Sequence, residues 1–227
     1  RMTDTIRAID PVRPITCGLH VASLLDNKPF RVDDVAAVSD TVVMHGYPMY
    51  VPFARDPLDA DFVPFCATLN TALANGKPTL FEEFGGCTAQ PGEASYVMQW
   101  TMYGKPRQQF MASEEDFAAY ITQVLERLQA GGASGAMLWC FADYAPELWN
   151  RPPCDEVQHE RFFGLVRPDG SLKPHAQAVQ NFAARGLTVK APNVTLTVDA
   201  DTFYENPPEH FAALYAEYLQ KLAETSA

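Results

Sequence analysis

An α/β fold of parallel strands, made of four βα units that amount to half of an eightfold (β/α)8 TIM barrel, is predicted by three observations. Four short apolar runs are each followed by a loop and a longer stretch of helical period. With 227 residues, 47% hydrophobic and 20% charged, the chain can bury one large core. A full barrel takes about 250 residues, whereas these four units already reach residue 185, so the pattern accounts for half of one.

The first unit begins after a short helical segment, "MTDTIRAID", with strand "RPITCGLH" (13–20) and helix "RVDDVAAVS", for which Asp33 is the expected cap. Strand "DTVVMHGY" (40–47) follows, then a helix over 60–75 in which Phe62, Phe65, Leu69, Ala72 and Leu73 form one stripe and Gly76 ends it. The third strand, "PTLFEEF" (78–84), leads through a long loop to a helix opened by "SEED", with Ser113 as cap and Asp116 three residues on. Phe117, Tyr120, Ile121, Val124, Leu125 and Leu128 mark its apolar face, and Gly131 and Gly132 close it. "GAMLWCFA" (135–142) is the fourth strand; a loop of functional length then runs to a helix started by Pro174. Residues 187–227 break the pattern. They read as short strands followed by an amphipathic helix capped by Asn206, a C-terminal extension to a domain spanning 1–186.

Composition narrows the partners. A formal net charge of −11, with only 17 scattered Lys and Arg, excludes a phosphate-binding surface for nucleic acid and suits neutral or cationic ligands. "GAMLWCFA" is too short to span a bilayer, and no charged n-region with an apolar h-region opens the chain, so no membrane partner is expected. A cytoplasmic and a secreted location both remain open. Of five cysteines, Cys17, Cys66 and Cys140 lie in apolar periodic segments and read as packed thiols, while Cys87 and Cys154 fall in loops where a disulfide between them is an option.

Chemistry in α/β folds collects beyond the C-terminal ends of the strands. Those ends carry His20, then His45 and Tyr47, then Glu83, then Trp139 and Asp143. Strand alternation lets only one of Glu82 and Glu83 face a site, which leaves the other for a structural pairing with Arg or Lys. The long loops add Trp100, Tyr144 and Trp149, aromatics of the kind that stack on sugars, and a loop cluster of Asp155, Glu156 and Glu160.

"KPTLFEEFGG", with "MHGYP" on the strand before it and "GAMLWCF" on the strand after, resembles the second half of the retaining glycoside hydrolases of the large (β/α)8 clan, in particular cellulase and β-mannanase-like (family 5-like) enzymes. The resemblance covers residues 5–185. It implies that the four strands are strands five to eight, that Glu83 is the nucleophile, and that Tyr47 hydrogen-bonds and orients it. It further implies that His45 is a substrate or orienting contact and Trp139 the floor under the sugar; His20 at its strand end and the loop aromatics Tyr144, Trp149 and Trp100 read as further substrate contacts, and Asp143, in the strand-eight loop that commonly lines the cleft of such enzymes, as a substrate contact, a loop stabiliser or a solvated group. The implied reaction is retaining hydrolysis of β-mannan or β-glucan type linkages, which needs two carboxyl groups and no cofactor or metal. In the clan the acid/base Glu stands in an Asn-Glu pair on strand four. This sequence has no such pair, so the expected partner, besides the carbohydrate, is the upstream half of the barrel, on the same natural chain or as a separate piece.

Two other readings compete. A metal-dependent, amidohydrolase-like barrel would use His20, His45 and Asp143 as ligands, leaving Glu83 without a role. A glycan-binding barrel without catalysis would use the aromatics alone.

Overall fold

The computed structural model describes residues 1–26 and 30–225. In chain order the strands are β1 (Val42–His45), β2 (Thr79–Gly85), β3 (Tyr96–Met102), β4 (Lys105–Met111) and β5 (Gly135–Trp139). The α-helices are α1 (Met2–Ile9), α2 (Ala22–Leu25), α3 (Val32–Val38), α4 (Phe62–Leu73), α5 (Glu114–Ala130), α6 (Pro174–Ala183), α7 (Ala200–Glu205) and α8 (Pro207–Thr225). The sheet β1-β2-β5 is parallel throughout, its strands joined through α4 and α5 as in consecutive βα units.

Each element follows from its sequence. Val42, Val43 and Met44 are all buried, so β1 is apolar on both faces, as a covered parallel strand must be. Helix α4 is buried from Phe62 to Asn70 because it has the sheet on one side and α8 on the other; the Phe65 and Tyr215 rings stack at 4.7 Å. Ser113 caps α5, its hydroxyl accepting the Asp116 N–H at 3.0 Å, and Gly132 continues from its end at φ +76°. The two glycines after Glu83 have a packing reason. A Cβ on Gly85 would lie 2.3 Å from the Trp139 carbonyl oxygen, and one on Gly86 would lie 2.7 Å from the Phe117 ring.

Several expectations are corrected. Residues 13–20 form no strand: they run beside β1, joined by a single His20–His45 bridge and by bonds such as His45 N–H to Leu19 O. Among the described residues no strand lies on their outer side, and Arg13, Pro14, Thr16 and Cys17 are exposed. Arg31, not Asp33, precedes α3. Asp33 lies in its first turn and takes two hydrogen bonds from the Arg31 guanidinium. The long loop after β2 holds the antiparallel hairpin β3–β4, turned at Tyr103 and Gly104, both of positive φ. Residues 187–199 contain no strand.

The extension is also not peripheral to packing. Val194, Leu196, Phe203, Phe211, Tyr215 and Tyr218 belong to the main core cluster, and Tyr215 donates to buried Asp59 at 2.6 Å. All five cysteines are free, with Cys66, Cys87 and Cys154 buried, so Cys87 and Cys154 form no disulfide. Cys17 is exposed and Cys140 half-buried, rather than packed.

Candidate active site

Glu83 is placed by an irregularity in β2. Leu80 and Phe81 pair with Gly135 and Ala136, but Phe84 pairs with Leu138, so β2 carries one residue more than β5 across Glu82 and Glu83. A bulge of this kind breaks the strict alternation of side chains. The expectation that Glu82 and Glu83 face opposite sides is therefore corrected: both reach the same imidazole. His45 Nε2 lies 3.1 Å from Glu82 Oε2, and His45 Nδ1 lies 3.4 Å from Glu83 Oε2. The partner of Glu82 is His45, not an Arg or Lys.

Tyr47 follows β1 and is buried against Phe163 (6.2 Å, edge-on) and Tyr50 (5.6 Å). Its hydroxyl donates to Glu83 Oε1 at 2.5 Å. Burial, and then the bond to Glu83, push the Tyr47 phenol far above its usual range, so it remains a donor at all working pH values. A carboxylate held by a buried phenol on one oxygen and an imidazole on the other is fixed in orientation, as an attacking group must be. On the β-glycosidase reading proposed below, with both barrel halves present, Tyr47→Phe is expected to lower kcat about 10–100-fold, the value of one hydrogen bond to a charged group; steady-state kinetics beside an unchanged melting curve check it.

A cleft of about 460 Å3 opens over this pair. His20, Tyr47, Glu83, Trp139 and Tyr144 line it, joined by Tyr50, Glu160 and Phe163, which the reading of strand ends did not single out as contacts. Trp139 is 40% exposed at the end of β5, offering an apolar surface beside Glu83. The carboxyl of Glu160 is raised above its ordinary range by burial, opposed by a hydrogen bond from Trp139 and reinforced by the charge of Glu83. The signal for Tyr50 was its spacing three residues after Tyr47; Glu160 showed only as one member of an acidic loop cluster.

Three expected contacts lie elsewhere. Asp143 is turned inward, accepting from Lys173 Nζ at 2.8 Å and from Gly164 N–H at 2.7 Å. It therefore does not converge with His20 and His45, as the metal reading requires; among the described residues no cluster of three or more ligating side chains occurs. Trp149 donates to the Tyr144 carbonyl at 2.8 Å and lies under the Arg161 guanidinium. Trp100, on β3, donates to the Glu156 carbonyl and packs on His159 at 5.3 Å, which ties the hairpin to the 158–162 turn.

The fold recurs in known proteins. The GH5_18 from Streptomyces cattleya, in complex with GlcNAc, superposes with a TM-score of 0.73 at 17% identity over 98% of this chain and 51% of that one. The chain has the fold of half a glycoside hydrolase barrel. An exo-beta-1,4-mannosidase from Opitutaceae bacterium strain TAV5 matches with a TM-score of 0.61 and 24% identity, over 82% of this chain and 31% of its own. A GH5_18 from Bifidobacterium longum in complex with Manb1-4GlcNAc matches with a TM-score of 0.59 and 16% identity, over 78% and 38%. The half-barrel thus spans about half or less of the length of these structures. No protein-family model and no curated protein sequence matches the chain. No helix among the described residues is long and apolar enough to cross a membrane.

Proposed function

We propose that this chain supplies the nucleophile half of a retaining β-glycosidase, with the second half of a (β/α)8 barrel in residues 1–186, where β1, β2 and β5 take the places of strands six to eight and the bridged 13–20 segment that of strand five, and a covering extension in 187–227. The observation that carries the reading is the 2.5 Å hydrogen bond from buried Tyr47 to Glu83, in a cleft beside the face of Trp139. Glu83 attacks the anomeric carbon, the aglycone oxygen leaves with a proton from a second carboxyl group, and water then releases the sugar from the glycosyl ester. No cofactor takes part. β-Mannosides stand first among the substrates of this reading, ahead of β-glucans, supported by structural neighbours named for a mannosyl ligand and for mannosidase activity.

The proton donor belongs, in this reading, to the other half of the barrel. The exposed Met137 and Trp139 of β5, with Phe141 just past its end, and the mostly exposed 13–18 segment beside β1 are the two borders that a further four βα units would cover. That half is contributed from upstream on the same natural chain or as a separate piece.

The test is intact mass of the protein carrying both halves after incubation with 2-deoxy-2-fluoro-glycosyl fluorides of the gluco and manno series, followed by peptide mapping. Fluoride leaves without protonation, so the experiment isolates the nucleophile. One sugar adduct on the peptide containing "TLFEEFGG", absent in Glu83→Gln, is expected; a folded protein that takes no adduct overturns the assignment.

A further inference from the structure

The cleft holds a second carboxyl group that the double-displacement chemistry does not use. Glu160 lies in the Gln158–Phe162 turn and lines the same cleft as Glu83 and Trp139, with its side chain 29% exposed. Its only cationic neighbour by sequence, Arg161, is turned away to the carbonyls of Cys154 and Trp149. His159, 3.8 Å from it, is held neutral by burial, with its pKa down to about 4. Among the described residues no Lys or Arg lines the cleft, and His20 is pushed below its ordinary range by burial and by His45.

We propose that Glu160 is a specificity-determining residue of this cleft: its carboxylate accepts hydrogen bonds from hydroxyl groups of the sugar beside Trp139 and, together with Glu83, selects neutral or cationic sugars over uronates. This rests on the site proposed above. A half-buried carboxylate lining the cleft beside Trp139, with Arg161 turned away from it, has acceptor capacity that paired sugar hydroxyls fill. A uronate keeps its ring hydroxyls but exchanges the C6 hydroxyl, a donor, for a carboxylate that only accepts, and so adds a third negative charge to the two already present. The charge of Glu160 also raises the affinity of any sugar analogue that carries an ammonium.

The experiment uses the protein with both barrel halves, in wild-type form and as Glu160→Gln and Glu160→Asp. Calorimetric affinities are measured for methyl β-mannoside and for the matching C6-carboxylate, beside the trapping rate with 2-deoxy-2-fluoro-mannosyl fluoride. In the wild type the carboxylate sugar is expected to bind at least about 30-fold more weakly than the neutral one. Glu160→Gln is expected to weaken the neutral sugar about tenfold without weakening the uronate, while the saturating trapping rate changes less than about threefold. Glu160→Asp, which keeps the charge at shorter reach, should retain the discrimination. Unchanged affinities in Glu160→Gln overturn the proposal. So does a loss confined to kcat on unactivated mannosides with normal trapping, which would make Glu160 a proton donor. Absence of a trapped adduct in the wild type sinks the retaining mechanism alone, since the calorimetric affinities still decide the role of Glu160.

Discussion

Glu83→Gln is expected to lower kcat/KM for β-linked glycosides by at least about 10^3-fold, and Glu82→Gln by less than about tenfold, when both are measured in the barrel with its two halves. The side-chain amide that replaces the Glu83 carboxylate can still accept from Tyr47, so the variant keeps the local geometry and loses only the attacking charge. Glu82 touches the same His45 through the opposite ring nitrogen, but it does not line the cleft. Its neutral variant therefore perturbs the orientation of His45 and, through it, Glu83. The pair is informative because the two carboxylates are adjacent in sequence and share a partner. If Glu82→Gln were the inactive variant and Glu83→Gln the active one, the bulge would present the wrong residue and the assignment would be reversed.

How much of this was legible in the sequence depended on whether the cause was local. Strands β1 and β2 and helices α4, α5 and α6 were readable because burial demands continuous apolar runs in the strands and helical period between them, and β5 was readable from the same kind of apolar run although its Met137 and Trp139 are exposed. The hairpin β3–β4 was not. In β3 the half-buried Met98, Trp100 and Met102 do alternate with exposed Val97, Gln99 and Thr101, but Lys105–Gln108 of β4 are all exposed and carry no such pattern, and the turn is Tyr-Gly rather than the Asn-Gly that signals such hairpins. Residues 187–199 looked like strands because Val194, Leu196 and Val198 alternate. They do so as an unpaired segment whose Val194 and Leu196 are buried in the main core cluster.

The site divides in the same way. Tyr47, Glu83 and Trp139 stand at or just beyond the ends of regular strands, where position along the strand fixes position in space. The bulge that turns Glu82 toward His45 depends on the register with β5, which no single strand's sequence records. Trp100 and Trp149 had the right chemistry for sugar stacking, yet their indole N–H groups are spent on the carbonyls of Glu156 and Tyr144. Loop aromatics go where the loop's own buried polar groups need partners.

Lys173→Met is expected to destabilise the fold by about 3–5 kcal/mol near neutral pH, because it leaves the Asp143 carboxylate buried without its cation. Lys173 is 2% exposed and donates to Asp143, to Thr88 Oγ1 at 2.9 Å and to the Phe162 carbonyl at 3.1 Å. One ammonium thereby joins the segment after Glu83, the segment after Trp139 and the turn that carries Glu160. Burial raises the Asp143 carboxyl above its usual 3.8, against the pull of Lys173, and lowers the Lys173 ammonium below its usual 10.5. A carboxyl with a raised folded pKa favours the fold in its protonated form, so its cost to stability grows as pH rises through that pKa. Without Lys173 the cost is larger, and the deficit of Lys173→Met should shrink as pH falls toward 4. Denaturant titrations at pH 7 and pH 4.5 measure this. The double variant Asp143→Leu with Lys173→Met removes both charges and should recover most of the loss at pH 7. Its trapping rate at Glu83 should stay depressed, since the apolar pair restores packing but not the three bonds that align Thr88, Asp143 and Phe162 around the cleft. A double variant as active as wild type would show that the network serves stability alone.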